Sequence, residues 1–420
     1  MATTGRVDMA RVYLSSPRAT VRPMRIGLVS TRLAGVDGVS FEVAKWELML
    51  NRLGHETRLC AGELAPERMD QRLIPQMHFT HPPAQAVSAA AFDPGADPDE
   101  VRAQVQRLAT ELIPTIGSWL DDEGIELLIV ENAWAIPMQI PLGVALASLV
   151  GERQLPTIGH HHDYAWERER FATCIVPDLL DEAFPPDLPT VRHVSINGVA
   201  AADLERRRGI TSAAIIPNAY DFDVPPAERD DYSRSMRAEL GMGSHNRLFV
   251  QPTRVVPRKG IELAIQLVSR LGDPHAHLMI TSPAGDEGME YMAQLHMVAD
   301  RLGVHHGPKR IYALSDAYLE ADMITFPSLY EGFGNALVES VYFGKPLLVN
   351  RYSVYETDIR PLGFRFIEIE GAITDEVVDE VNALLADPDL RAANATHNFE
   401  LGRQHLSYEM LESRLRGLLS

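Results

Sequence analysis

Short, wholly apolar runs recur along the chain, each closed by turn residues and followed by a stretch of helical spacing. Met24–Ser30 (MRIGLVS) is the first. It leads through the loop Leu33-Ala-Gly-Val-Asp-Gly-Val-Ser40 into Phe41–Leu53, which stops at Gly54. A strand buried on both faces reads as such a run, and glycine is a usual helix stop. Thr57–Ala61, Ile125–Val130 and Pro156–His160 repeat the pattern. Strands alternating with helices build parallel sheets from βαβ units, so the expected fold class is α/β. Asp99–Glu123 reads as a long helix kinked at Pro114, and residues 81–98, rich in proline and alanine, read as a loop.

After Phe184-Pro-Pro-Asp-Leu-Pro189, which reads as a linker, the grammar restarts. Val191–Ile196, Ala213–Ile216, Leu248–Thr253, His277–Thr281, Met323–Pro327 and Leu347–Asn350 are its apolar runs, with Gly198–Arg208 a helix between the first two. A chain of 420 residues exceeds one ordinary core and suits two of about 200 residues each. The expected plan is a disordered tail over 1–23, a doubly wound domain over 24–190 and a second over 191–399. A last helix, within Asn398–Ser420, is placed to cross back onto the first domain over about residues 400–420.

Composition narrows the function classes. Fifty-eight acidic against 39 basic residues leave a formal net charge of −19, a field that disfavours nucleic acid and anionic membrane as partners. Cys60 and Cys174 are too few for a disulfide framework and fit a reducing compartment. The first 25 residues carry five arginines but no apolar run, unlike a secretory signal. Ile136–Val150 is too short and too interrupted by proline to span a bilayer. A cytoplasmic, soluble protein is expected, with homodimerisation left open.

The segment Glu331-Gly-Phe-Gly-Asn-Ala-Leu-Val-Glu339 follows one of the apolar runs and carries the most chemistry. A loop feeding a helix N-terminus offers free backbone N–H groups and partial positive charge to an anion. Gly332 and Gly334 let that backbone come close to a ligand. Glu331 falls in the loop and Glu339 about one turn into the helix. Both carboxylates are good acceptors for vicinal sugar hydroxyls, so the pair could grip the two ends of a sugar nucleotide with its diphosphate over the helix start.

This segment resembles the E-x7-E signature of family 4 retaining glycosyltransferases, which have the GT-B fold: two Rossmann-like domains facing a central cleft. Other segments match that family in order, over roughly residues 24–420: VSINGVAAADLERRRGITSAAIIPNAYDFD resembles the start of its second domain, TRVVPRKG its diphosphate motif, and RIYALSDAYLEADMITFPSLYEGFGNALVES its donor block. The resemblance implies that Arg254 and Lys259 hold the β-phosphate, a role that two cations at a strand exit suit. It implies that Glu339 holds the ribose, that Glu331 with backbone of Phe333, Gly334 and Asn335 holds the donor sugar and phosphate, and that Arg310 and Ile311 contact the base. The family usually has a Gly-Gly pair after its first strand; here Gly35 and Gly38 are separated by Val36 and Asp37, and either can face the donor.

His160-His161-His162-Asp163 ends another apolar run. Adjacent strand residues point to opposite faces, so three histidines in a row do not easily ligate one ion, and no metal site is expected. The family has a histidine here near the donor sugar; His162 matches best by register, with His160 and His161 as alternatives. Asn132, Trp134, His161, Asp163, Tyr164 and Arg168 are the candidate acceptor contacts, because aromatic faces pack on sugars and arginines pair with carboxylates. The run His-His-His-Asp-Tyr-x-Trp-Glu-Arg is similar to enzymes that place mannose or glucose on glycerate-type acceptors, as in mannosylglucosylglycerate synthesis.

The expected activity is therefore retaining transfer of a hexose from a nucleoside diphosphate sugar, GDP-mannose or UDP-glucose, to a small soluble acceptor. No cofactor is obligatory, and Mg2+ is compatible but not required; Asp221-Phe-Asp223 reads as a turn rather than a metal motif. A sugar phosphorylase on the same fold and a non-catalytic sugar-nucleotide-binding protein are the alternatives. Arg254, Lys259 and Glu331 together argue against the second.

Overall fold

The computed structural model describes residues 22–34, 38–68, 71–243, 245–281, 291, 294–295 and 313–420. The tail expected over 1–23 falls outside them up to residue 21. Two parallel sheets are formed. In the first, β1 (Arg25–Ser30), β2 (Glu56–Ala61), β3 (Arg72–Leu73), β4 (Leu127–Glu131), β5 (Thr157–His161), β6 (Val191–Ser195) and β7 (Ala214–Ile215) take the order β3-β2-β1-β4-β5-β6-β7. In the second, β8 (Arg247–Gln251), β9 (Ala276–Ile280), β10 (Met323–Phe326), β11 (Leu347–Asn350) and β12 (Ile367–Ile369) take the order β12-β11-β10-β8-β9.

Each sheet winds outward on one side and restarts on the other, so β1 neighbours β4 and β8 neighbours β10. The loops leaving such a pair part to opposite faces and open a crevice at the carboxyl ends of the strands. Alternation along the strands decides what fills the two faces of the first sheet. Val29, Leu128 and Val130 pack with Leu112, Ile116 and Trp119 of the helix Pro98–Asp122. Ile26, Leu28 and Ile129 pack with Trp46, Met49 and Leu50 of the helix Gly38–Arg52, and with Leu411, Leu415 and Leu418 of the terminal helix Tyr408–Leu419. Each such side chain contributes roughly 1.5–3 kcal/mol when fully buried.

Several local expectations change. Residues 82–90 form a helix, Pro82–Ala90, rather than a loop: proline is tolerated in the first turn, where no N–H is needed, and the alanines after it favour the helix. The long helix expected over 99–123 is present as Pro98–Asp122, with Pro114 inside it. The expected boundary at 190/191 does not coincide with the division between sheets, because β6 pairs with β5 and β7 with β6. Phe184, 2% exposed, belongs to the first core, so residues 184–189 join a helix to a strand of the same domain. The apolar runs of both sheets look alike, and nothing local marks which sheet a strand will join.

The terminal segment is two helices, Pro388–His405 and Tyr408–Leu419, with Ser407 capping the second. The two crossings between the sheets lie side by side there: the Tyr220 N–H donates to Leu406 O at 2.8 Å, and the Tyr408 N–H to Tyr220 O at 3.1 Å. No described helix is long and apolar enough to cross a membrane.

Candidate active site

The crevices of both sheets carry the candidate residues. From β10 the chain runs through the Glu331 loop into the helix Asn335–Tyr342. Gly334 has φ 116°, and a Cβ there would lie 2.9 Å from the Phe326 ring, so the turn into the helix depends on glycine. Glu331 is 6% exposed and Lys259, from the loop after β8, is 8% exposed. Lys259 Nζ donates to Glu331 Oε1, and Arg258 Nη1 donates to Glu331 Oε2 at 3.1 Å. Burial by itself would raise the Glu331 carboxyl, but Lys259 and Arg258 hold it below the usual carboxylate range. Burial lowers the Lys259 ammonium, with Glu331 opposing. Arg254, on the same loop, is exposed.

Glu339, on the helix Asn335–Tyr342, accepts at Oε2 from the buried Tyr318 hydroxyl at 2.7 Å. Burial raises this carboxyl; Tyr318 and Lys45 of the first domain pull the other way. Phe333 is buried, and its carbonyl accepts from the Tyr352 hydroxyl at 2.5 Å. Asn335 Oδ1 accepts from Asn218 Nδ2 at 2.5 Å. A Cβ on Gly38 would lie 3.7 Å from Asn335 Nδ2, so a helix start from each domain meets here. Gly35, Arg310 and Ile311 lie outside the described residues.

On the first sheet the register decides which histidine goes where. Glu131 stands opposite His160 across β4 and β5. Residues two apart on a strand share a face, and both His160 and His162 reach Glu131. His160 Nδ1 lies 2.9 Å from Oε2 and His162 Nε2 lies 2.5 Å from Oε1. His161 points the other way, to His193 Nδ1 at 2.9 Å, and is fully buried. It does not reach the cleft as an acceptor contact would. Burial holds both members of that pair below the usual histidine range, His193 down to about 4.

Ligand atoms of Glu131, His160 and His162 lie within 4.8 Å of one another, a spacing a metal ion could share. Each imidazole nitrogen also sits at hydrogen-bond distance from its own carboxylate oxygen, so the three groups satisfy one another without an ion. His160 Nε2 is buried with no hydrogen-bond partner among the described residues.

The other acceptor candidates divide. Trp134 and Tyr164 are both fully buried: Trp134 Nε1 donates to Gly143 O at 3.0 Å, and the Tyr164 hydroxyl meets Ser195 Oγ at 3.1 Å. They are core, because neighbouring helices close over the strand ends that carry them. Asn132, at φ 56°, braces the histidine strand, its Oδ1 accepting from the His162 N–H at 3.0 Å. Asp163 and Arg168 pair with each other, Nε to Oδ2 at 2.7 Å, and stay part-exposed.

Residues that sequence reasoning passed over join the two halves. The Tyr330 hydroxyl donates to Glu167 Oε2 across the domains. Asn197 Nδ2 donates to Gly332 O at 2.6 Å. A Cβ on Gly332 would lie 3.0 Å from His162 O, so the donor loop sits directly against the histidine strand. The one local signal for Glu131 was an acid closing the apolar run Leu-Leu-Ile-Val-Glu; Glu167 and Tyr330 had none.

Residues 233–398, which contain Arg254, Lys259, Glu331 and Glu339, match the family Glycosyl transferases group 1. The chain is 32% identical to mannosylglucosylglycerate synthase of Thermotoga maritima, over 93% of this chain and 99% of that protein. The chain belongs to this family of retaining, GT-B glycosyltransferases. A mannosylglucosylglycerate synthase of Petrotoga mobilis is 29% identical over 82% of this chain and 86% of its own. Among solved structures, the Anabaena HepE protein in complex with UDP and glucose superposes with a TM-score of 0.63 at 15% identity, covering 94% of this chain and 99% of that one. The glycosyltransferase thus takes its sugar from a nucleotide sugar, and its fold is that of the family.

Proposed function

We propose that this glycosyltransferase moves a hexose, mannose in the first instance, from a nucleoside diphosphate sugar to a hydroxyl of a small soluble acceptor of the glycerate or glucosylglycerate type, with retained configuration. The observation that carries the reading is the end-to-end similarity to a mannosylglucosylglycerate synthase, which extends through the acceptor half as well as the donor half. GDP-mannose is the first donor to test and UDP-glucose the second.

In this reading Lys259 and Arg254 take the β-phosphate, backbone N–H groups at the start of the helix Asn335–Tyr342 point at the diphosphate, and Glu331 accepts from hydroxyls of the sugar. Glu339 takes the ribose and His162 the donor sugar. Gly35, Gly38, Phe333, Gly334, Arg310 and Ile311 complete the donor contacts, and Asp163 and Arg168 face the acceptor. The bond between the anomeric carbon and the β-phosphate oxygen breaks as the acceptor oxygen bonds to the same face of that carbon. The departing phosphate oxygen takes the acceptor proton, and the nucleoside diphosphate leaves. Two cations and a helix start stabilise the charge that develops on it. Closing the cleft excludes water and limits hydrolysis.

The test incubates the protein with GDP-mannose or UDP-glucose and glucosylglycerate, then reads the product anomer by NMR. An α-linked product from the α-linked donor is expected. No turnover or hydrolysis of any nucleotide sugar would sink the proposed donor and acceptor, and an inverted anomer would sink the mechanism.

A further inference from the structure

Glu131 is fully enclosed, and a carboxylate so enclosed stays charged only if its oxygens are matched. Each oxygen has a different histidine, as the β4–β5 register requires. The two histidines are not equivalent. His160 is 1% exposed and stacks on Trp46 with ring centroids 4.2 Å apart, so it is locked in the core. His162 keeps a 13% exposed side chain beside the Gly332 turn of the donor loop. Glu131 is thus tethered at one oxygen by a fixed ring and reaches with the other to a ring at the cleft.

We infer that Glu131 is a positioning residue for sugar transfer: anchored by His160, it holds His162 through Nε2, which turns Nδ1 toward the donor sugar as a hydrogen-bond donor. The inference rests on the proposed placement of His162 at the donor sugar. A carboxylate on one ring nitrogen fixes the orientation of the ring, and in the neutral ring it keeps the proton on Nε2 and leaves Nδ1 an acceptor, so donation from Nδ1 needs the charged ring. It also favours the imidazolium, in which both nitrogens donate. Burial disfavours that charge on His162, but the hydrogen bond and charge of Glu131, with lesser help from Glu42 and Asp163, raise it above the ordinary histidine range. Glu42 is itself paired with Lys45 at 2.6 Å, and Asp163 with Arg168 at 2.7 Å, so Glu131 is the acid committed to the histidines. His161, on the same strand, is turned to the other face and held neutral by burial.

Three full-length variants, assayed for kcat/KM against pH with GDP-mannose and glucosylglycerate, test it. His162→Ala should lose activity at every pH. Glu131→Gln keeps the size of the side chain and removes its charge. It should lower kcat/KM about tenfold or more, and move the alkaline fall of the profile to lower pH. The deficit should therefore be largest near about pH 8 and shrink as pH falls below about 6, where protonation of His162 depends less on the Glu131 charge. His160→Phe keeps a ring against Trp46 but removes the anchor; it should shift the profile the same way, and it serves if Glu131→Gln does not fold. An inactive His162→Ala beside Glu131→Gln and His160→Phe profiles parallel to the parent's would overturn the inference alone. Parental activity in His162→Ala would overturn the His162 placement and the inference with it.

Discussion

Lys259 and Glu331 pair in a space that water scarcely reaches, so removing Glu331 strands a buried ammonium and removing Lys259 leaves the carboxylate with Arg258 alone. We expect Lys259→Ala and Glu331→Ala each to cut turnover by about 10²-fold or more if they act on the departing diphosphate and the sugar. Each should also destabilise the fold by about 3–5 kcal/mol, while the double variant should cost less than the sum, as breaking a buried pair predicts. Steady-state kinetics and denaturant melts on the four proteins check both; strictly additive stabilities would show that the two charges do not depend on each other. Both residues were legible as motif positions. Their mutual contact, across 72 residues of chain, was not.

At the scale of elements, the turn from the Glu331 loop into the helix Asn335–Tyr342 is the most demanding feature of the donor side. Gly334→Ala would force a side chain into φ 116° and against Phe326, a strain of roughly 1–3 kcal/mol. Because the same turn aims the helix N–H groups, nucleotide-sugar binding should weaken more than global stability. Calorimetric titration with GDP-mannose against a thermal melt separates the two, and a variant with lower stability but unchanged binding would contradict the role given to that helix start. Most strands were readable because a buried parallel strand is a contiguous apolar run. Pro82–Ala90 was not, since proline and alanine are common to loops and to helix first turns.

The two halves of the molecule are joined by contacts that no single element contains. Glu167 meets Tyr330 from the opposite domain, and burial pushes its carboxyl up to about 7, the Tyr330 hydroxyl opposing. An acid whose pKa is raised on folding contributes stability that is complete below its unfolded value, near about 4.5, and is lost as pH rises through the folded one. The contact between domains should therefore weaken between about pH 4.5 and 7. Glu167→Gln, which cannot ionise, should remove that part of the pH dependence and raise the melting temperature at about pH 8 relative to the parent. Melting curves of both proteins across this range provide the check; identical pH dependence would remove Glu167 from the interdomain role.

The amino-acid sequence by itself determined the βα alternation, the need for two cores and the Arg254, Lys259, Glu331 and Glu339 positions, because each depends on residues close together in the chain. Only the tertiary structure decided that Val191–Ser195 and Ala214–Ile215 complete the first sheet, that Trp134, His161 and Tyr164 are buried, and that Glu131 gathers His160 and His162. Strand register sets the histidine contacts, while strand order and helix packing set the rest, and all of these depend on which faces must be covered by helices from elsewhere in the chain.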